Sequence, residues 1–421
     1  MGQVLDLRYH NLLKTSIFIV PRSSKDWRGN EAGWITASGW AAAGQQLWGE
    51  AIVATTDGIY SPQESMVFPR IQNLTPRKRN RSIRRFIPEI CITAYKDWTL
   101  KHSKPRIWPI EKTDELINKK IMLVWQRHDL FPGPGRRLAD RFGVPLVISV
   151  EAAIVWEARR WGVKRPLWGK LLEKYSEARS LKRADLVSCV TDEVREKVIK
   201  MGVPESKVIV SPNRVDSSIF HTNVDGREIS EKYDLKNKKV LGWIGSFRKF
   251  HGLDAVVRAF KQVNNRHSDT VLMLVGDGLE YKTIKKLSKE LGIEGKILMP
   301  GKQPFTSIPS FLVNFDICIV SANSKEGFHY SPLKLREYLA MGKPVIAPYA
   351  GNLPVLFKED VDMVFYDPDN QEDLERKMNF LLEDIDLKKS ISENARKHFE
   401  TEGTWVFELK KVCRMLHLPF D

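Results

Sequence analysis

Cysteine is scarce in this chain of 421 residues, and the four present, Cys91, Cys189, Cys318 and Cys413, are scattered without a C-x-x-C pair. That spacing excludes a disulfide framework and a cysteine-built zinc site, and at least three of the four are expected to act as small buried apolar residues. Long apolar runs are missing as well. Stretches such as Ser16–Pro21 and Pro145–Val150 fall far short of the ~20 residues that a membrane-spanning helix needs. Asp6, Arg8 and Lys14 precede the first of them, so no signal-peptide core of roughly 7–15 apolar residues can be drawn and a cytoplasmic protein is the expectation. No G-x-x-x-x-G-K-[ST] occurs, which argues against a P-loop nucleotidase. Val275-Gly276-Asp277-Gly278 meets Tyr281 where a dinucleotide fingerprint places its third glycine, so nicotinamide binding loses its support and no cofactor is expected. Asp360-Val361-Asp362 has D-x-D spacing but reads as a solvated turn ahead of a strand, and no metal ligand is assigned.

What is present is the material of globular domains. Hydrophobic residues make up 42% and charged residues 28%, a balance that excludes disorder, collagen and coiled coil. At about 150 residues per domain the length allows two or three domains, and two large ones are expected. Lys and Arg total 67 against 52 Asp and Glu, a formal net charge of +15. Such an excess attracts polyanions, anionic lipid surfaces or phosphorylated substrates. Arg77, Lys78, Arg79, Arg81, Arg84 and Arg85 concentrate it. With Ile83 and Phe86 beside them, these six are expected to hold the protein on an anionic membrane surface, while the lack of an aromatic ladder weakens any nucleic-acid readout.

Short β-branched segments alternate with helical patterns, which implies parallel sheets covered by helices on both faces. Strands are expected at Ser16–Val20, Ala51–Ala54, Ile121–Trp125, Leu146–Val150, Asp185–Val190 and Lys207–Ser211, with a helix over about 31–43 after the first. Residues 61–118 mix proline, tryptophan and basic side chains and read as an insertion with helical pieces. The second half offers strands near Val240–Ile244, Val271–Val275, Lys296–Met299, Ile317–Ser321, Val345–Ala347 and Met363–Tyr366. Between the first two, Leu253, Val256, Val257, Phe260 and Val263 form one helical core stripe. The polar segment Asn223–Asn237 reads as a linker, dividing the chain into domains at 1–222 and 223–399, with a helix near 400–421 packing back on the first. The expected architecture is α/β: two doubly wound, Rossmann-like domains facing a cleft, with ligands at the strand carboxyl ends.

The densest signal runs from Ser331 to Ala347, S-P-L-K-L-R-E-Y-L-A-M-G-K-P-V-I-A. Ser331 as N-cap, Pro332 at the first helical position and Gly342 just past the end predict a short helix feeding a strand. Free N–H groups in its first turn, around Leu333, suit phosphate oxygens. Lys334 sits in that turn, where the macrodipole disfavours a cation by ~0.3–1 kcal/mol, so an anion is expected beside it. Glu337 lies one turn on and is placed to accept hydrogen bonds from a sugar diol. The plainer reading is a capped helix with a surface Lys–Glu pair, and spacing alone does not choose between the two. A second signal, Gly242 to Gly252, runs a strand into a loop containing Gly245, Ser246, Arg248 and Lys249. Glycine lets backbone approach a ligand, and the two cations can neutralise a diphosphate.

Taken in order, Gly245 to Gly252, Val275-Gly276-Asp277-Gly278, Gly301 and Ser331 to Ala347 resemble the donor-binding half of retaining nucleotide-sugar glycosyltransferases of family four, which have the GT-B fold. The resemblance covers most of 185–400, including Asn213-Arg214-Val215-Asp216. In the first half, Arg127-His128, Pro145 to Glu151 and Glu157 are similar to the acceptor side of one subgroup. The resemblance implies metal-independent transfer, with retention, from a UDP- or GDP-linked sugar to a hydroxyl of a glycan or lipid-linked acceptor, in glycan, polysaccharide or glycolipid assembly. It implies that Arg248, Lys249 and Lys334 share the diphosphate charge and that Glu337 accepts from the ribose. Either His329 or Glu326 takes the place of the family's first glutamate beside the transferred sugar. His128 and Glu151 are the candidates for steering or deprotonating the acceptor. The rival reading is a basic protein that binds nucleic acid or another polyanion through residues 77–85 and retains a degenerate sugar site.

Overall fold

The computed structural model describes residues 13–24, 31–67, 87–326 and 328–420. The basic cluster from Arg77 to Arg85 lies outside them. The chain divides into two compact units, Met1–Asn213 with Trp405–Asp421, and Arg214–Thr404.

The first unit is built on a seven-stranded sheet of order β3-β2-β1-β4-β5-β6-β7. Its strands are β1 (Lys14–Ile19), β2 (Glu50–Ala54), β3 (Ile59–Tyr60), β4 (Lys120–Arg127), β5 (Leu146–Val150), β6 (Leu186–Cys189) and β7 (Val208–Val210). All neighbours pair in parallel except β2 and β3. Every strand read from the sequence in this half forms, because most are short apolar runs buried on both faces, as parallel strands require, with β7 at the edge only partly buried. The antiparallel β3 was not expected; two residues carry no periodicity to read. Residues 61–118 contribute helices Pro62–Val67, Glu89–His102 and Pro109–Lys112 among their described part.

The first helix, Glu31–Trp48, runs longer than the expected 31–43. Its Gly39 makes room for the ring of Trp405: a Cβ there would lie 2.2 Å from Trp405 Nε1. Trp40 also packs at a tilt against Trp405 at 5.3 Å between ring centroids, and Trp48 Nε1 donates to Pro419 O at 3.0 Å. The C-terminal helix, Trp405–Met415, is thereby held on the first unit. It is separate from the preceding helix Ile385–Glu402, so the single helix drawn near 400–421 is corrected to a helix end at Gly403 followed by a new helix over Trp405–Met415.

The second unit carries a six-stranded parallel sheet of order β10-β9-β8-β11-β12-β13. Its strands are β8 (Lys239–Ile244), β9 (Thr270–Val275), β10 (Ile297–Gly301), β11 (Ile317–Ile319), β12 (Val345–Pro348) and β13 (Val364–Tyr366). This is a doubly wound order that reverses between β8 and β11, the point at which such sheets open a crevice beyond their strand ends. Leu253, Val256, Val257, Phe260 and Val263 are buried in one core cluster with β8 and β9. The segment read as a linker is corrected: it holds helix Arg227–Lys232 and belongs to the second core. The boundary falls at Asn213 rather than 222 because Val215 and Phe220 are 3% and 0% exposed in that core, and Val215 bridges to Thr404.

Cys189, Cys318 and Cys413 are buried, and Cys91 is exposed. Asp360-Val361-Asp362 forms a turn in which Asp362 accepts from Lys358 N at 2.8 Å. Among the described residues no helix is long and apolar enough to cross a membrane.

Candidate functional site

The crossover between β8 and β11 gathers most of the residues singled out in the second half. The backbone leaves β8 at Gly245, whose φ is +151°. Gly245 N donates to Val275 O at 3.0 Å, and Gly276 N donates to Gly301 O at 3.0 Å, so the ends of β8, β9 and β10 are laced together. Gly276 is required by this approach: a Cβ there would lie 1.8 Å from Gly245 O. Gly278 is required similarly, with a would-be Cβ 2.6 Å from Phe247 O. The phrases Gly242 to Gly252 and Val275 to Gly278 are therefore one object, two glycine-bearing loops packed backbone on backbone.

Over these loops lies the helix Leu333–Ala340. It begins one residue later than expected: Pro332 (φ −69°, ψ 120°) is the N-cap, in place of Ser331, and no side chain caps the first turn. Gly342 turns left-handed at φ +60° to end it. The helix is buried on every side from Lys334 to Ala340, which corrects the surface Lys–Glu reading. Tyr338 fixes its position. The phenol oxygen accepts from Ile244 N at 3.0 Å and donates to Ile319 O at 3.4 Å, tying the helix to the ends of β8 and β11.

Lys334 is 8% exposed. Its Nζ lies 3.8 Å from the centroid of the Trp243 ring and has no hydrogen-bond partner. Trp243 is itself held, its Nε1 donating to Ser321 Oγ at 2.9 Å. Burial drives the Lys334 pKa down to about 7, with Glu337 opposing the shift. Burial drives Glu337 up to about 7, with Lys334 opposing. His251 packs edge-on against Trp243 at 5.5 Å and is pushed down to about 2, first by burial and then by the charges of Lys334 and Arg248. It is therefore a neutral imidazole. Tyr330 closes the group, edge-on to His251 at 6.2 Å.

The structure brings together Gly245, Leu333, Lys334 and Glu337 and adds Trp243, His251, Tyr330 and Tyr338. Trp243 and His251 stood inside the glycine-loop phrase, but nothing in the sequence marked them as partners of Lys334. Ser246, Arg248 and Lys249 are exposed on the loop, with Arg248 near enough to bear on His251. Glu326 is exposed, whereas His329 is buried at 2% and packs edge-on to Tyr330 at 6.0 Å.

In the first unit the carboxyl ends of β1, β4 and β5 assemble a separate polar group. Glu151, after β5, takes both Nε (3.0 Å) and Nη2 of Arg127 and accepts from Thr36 Oγ1 at 3.0 Å. Burial would raise its pKa, but the Arg127 charge and these hydrogen bonds outweigh it and hold the carboxyl below its ordinary value. A carboxylate so occupied is a weak base. His128 is 4% exposed, and its Nε2 pairs with Glu177 at 2.9 Å. Glu177 also accepts from Ile154 N at 2.7 Å and Val155 N at 3.1 Å, so its carboxylate caps the helix Ile154–Arg160 while it holds His128. His128, a candidate for steering or deprotonating the acceptor, is thus buried and paired with Glu177.

Residues 225–398 match the profile of glycosyl transferases group 1, and residues 119–214 that of a glycosyl transferase 4-like domain. The chain belongs to the family-four type of GT-B glycosyltransferases. N-acetyl-alpha-D-glucosaminyl L-malate synthase of Bacillus anthracis is 27% identical over 51% of this chain and 55% of its own length. Alpha-D-kanosaminyltransferase of Streptomyces kanamyceticus is 20% identical over 60% and 65% respectively. The chain thus spans less than two thirds of the length of these two relatives. Among solved structures, Anabaena HepE in complex with UDP and glucose superposes with a TM-score of 0.65 at 16% identity, covering 96% of this chain and 99% of that one. A glycosyltransferase from Rickettsia africae reaches 0.64 at 18% identity, covering 97% and 98%. At such identities the likeness is one of fold.

Proposed function

We propose that the protein transfers a sugar, with retention at the anomeric carbon and without a metal ion, from a nucleoside diphosphate sugar to an acceptor hydroxyl. The observation that carries this reading is Lys334: a buried ammonium without a hydrogen-bond partner, at an uncapped helix N-terminus beside the Gly245 loop. A charge in that position is satisfied by an anion, and the first-turn N–H groups point the same way. As the anomeric carbon–oxygen bond breaks, the diphosphate leaves with the bonding electrons. Lys334 and the helix terminus stabilise that growing charge without reorganising, and Arg248 and Lys249 supply further cations from the exposed loop. Glu337 accepts from the ribose. His329 packs beside Tyr330 and is placed to line the sugar pocket, while the exposed Glu326 is the alternative for that role. The complexes of HepE with UDP and UDP-glucose support a UDP-linked donor, and a mycobacterial relative named as GDP-mannose-dependent keeps GDP in play.

The polyanion-binding alternative rests on residues 77–85 alone, outside the described structure, and no feature of the second unit favours it. The test is a panel of UDP- and GDP-linked sugars with simple hydroxyl acceptors, the product anomer being read by proton NMR. A product of inverted configuration sinks the retaining assignment. No stabilisation by any nucleoside diphosphate in a thermal-shift panel, where ligand at 100 times its Kd contributes about 2.7 kcal/mol, sinks the donor site.

A further inference from the structure

Lys334 has company around Trp243. Among the described residues, three buried polar atoms without a hydrogen-bond partner fall in this one group: Lys334 Nζ, His251 Nδ1 and Tyr330 Oη. The diphosphate of the proposed donor answers the ammonium. It does not answer the other two, which carry no charge for an anion to satisfy.

His251 is 7% exposed, and its ring donates to the backbone of Ser321. Since Nδ1 is the nitrogen without a partner, the donor is Nε2, and in a neutral imidazole the other nitrogen is then a lone-pair acceptor. A second proton is opposed by burial and by the charges of Lys334 and Arg248. The positive end of the helix Leu253–Arg266, which starts two residues on, opposes it too. An acceptor fixed in that state repels phosphate oxygens, so His251 marks where the anion site ends. The next group of the ligand must have a hydrogen to give.

Tyr330 meets His251 edge-on at 6.2 Å between ring centroids. Burial pushes its pKa up, so the phenol keeps its proton and is able to donate. An acceptor beside a donor fits a hydroxyl, which gives one hydrogen and takes another. A carboxylate has no hydrogen to give, and an ammonium has no lone pair to offer. Phe250, half-buried, packs against both rings at 4.2 Å from His251 and 5.7 Å from Tyr330, and its ring is the cover that a bound sugar displaces. Trp243 sets which hydroxyl this is. Lys334 lies 3.8 Å from the indole centroid and His251 sits edge-on to it at 5.5 Å, so the groups they bind are neighbours on the ligand. In a nucleotide sugar the hydroxyl nearest the anomeric phosphate is the one on C2.

We infer that His251 and Tyr330 hold the 2-hydroxyl of the transferred sugar, and that the donor is a hexose with that hydroxyl free rather than a 2-acetamido or 2-deoxy sugar. An amide N–H gives a hydrogen but takes none, and a site built for a hydroxyl strands its own buried groups when the hydroxyl is missing. The inference rests on the nucleotide-sugar reading of the Lys334 site and adds the sugar class to it.

Calorimetric titrations of the full-length protein test it with UDP, UDP-glucose, UDP-N-acetylglucosamine and UDP-2-deoxy-2-fluoroglucose, whose fluorine has no hydrogen to give. GDP, GDP-mannose and GDP-2-deoxy-2-fluoromannose form the parallel series. The tighter of UDP-glucose and GDP-mannose should bind the parent about tenfold better than its fluoro analogue. His251→Phe should remove that difference, weakening the hydroxy sugar about tenfold and leaving the bare nucleotide unchanged. Tyr330→Phe deletes only an oxygen that has no partner in the empty protein, so it should melt like the parent and weaken the same nucleotide sugar about fivefold. Three results overturn the inference: tighter binding of UDP-N-acetylglucosamine than of either hydroxy donor, equal affinity of the parent for a donor and its fluoro analogue, or equal losses for nucleotide and nucleotide sugar in both variants. A parent that binds no nucleoside diphosphate overturns the sugar-transfer reading itself.

Discussion

The ammonium of Lys334 is wedged between the indole face of Trp243, 3.8 Å from its centroid, and the backbone at Gly245, where a Cβ would come within 2.9 Å of Nζ. A desolvated cation–π contact contributes ~2 kcal/mol, which offsets only part of the several kcal/mol that burying a charge costs. The contact therefore holds the cation in place without satisfying it, and the remaining demand falls on a ligand.

Lys334→Met keeps the stem over Trp243 and removes the charge. The empty protein should melt at the same temperature or higher, because an unsatisfied buried cation is gone. Affinity for UDP or GDP should fall roughly ten- to hundredfold, the range of a charged hydrogen bond worth ~1.5–3 kcal/mol. Calorimetric titration and scanning calorimetry of the same preparation check both halves; equal affinity with lower stability would make Lys334 scaffold.

Proton linkage gives a pH signature. In the empty protein Lys334 has a pKa lowered to about 7 from an ordinary 10.5, so between those values the unfolded chain holds a proton that the fold does not, and stability from this group rises with pH. Glu337, raised to about 7 from 4.5, holds a proton in the fold across that lower window, so its contribution falls as pH rises. Together they place a local minimum of apo stability near neutrality, which Lys334→Met combined with Glu337→Gln should flatten. A bound diphosphate restores the lysine proton, so titrations above neutral pH in buffers of different ionisation enthalpy should show proton uptake, absent in Lys334→Met.

Glu337→Gln keeps the shape of the side chain and removes a charged acceptor. Folding should survive, since a buried carboxyl with a raised pKa is not stabilising the empty protein. Nucleotide affinity should fall roughly tenfold or more. Binding of the free diphosphate, which lacks the ribose, should be unaffected; a loss for both ligands would move Glu337 away from the ribose.

Gly276→Ala places a Cβ against the Gly245 carbonyl, where only 1.8 Å is available, at a φ of +142°. Left-handed strain of ~1–3 kcal/mol comes with forced displacement of the loop leaving β8. Denaturant unfolding should show a loss of at least that size, and nucleotide binding should weaken in the fraction that still folds.

Turnover in excess chelator should match turnover without it. Activity that vanished with chelator and returned with magnesium or manganese would assign the leaving charge to a metal rather than to Lys334 and the helix terminus.

Much of the second unit was legible in the sequence because its signals are local. A β-branched run of four to six residues buried on both faces reads as a parallel strand whatever surrounds it, and Gly342 past Leu333–Ala340 reads as a helix stop. Less local features were misread. Ser331 has the chemistry of an N-cap, yet the backbone enters the helix at Pro332. The polarity of Asn223–Asn237 suggested a linker, although Ile229 and Leu235 within it are core residues. For His128, nothing near it in the chain announces Glu177, its partner in space.

The sequence by itself determined the periodicities, the glycine positions and the family-four motif, and through them two doubly wound α/β units and a short helix that feeds a strand. Those features depend on backbone conformation and side-chain alternation, which act over a few residues. The tertiary structure alone decided that Lys334 and Glu337 are buried rather than paired on the surface, that Trp243 carries the cation, and that Glu151 is occupied by Arg127. The contacts of Lys334 with Trp243 and of Glu151 with Arg127 join separate elements of the chain, and the burial that sets their charge and reactivity exists only once the sheets have packed.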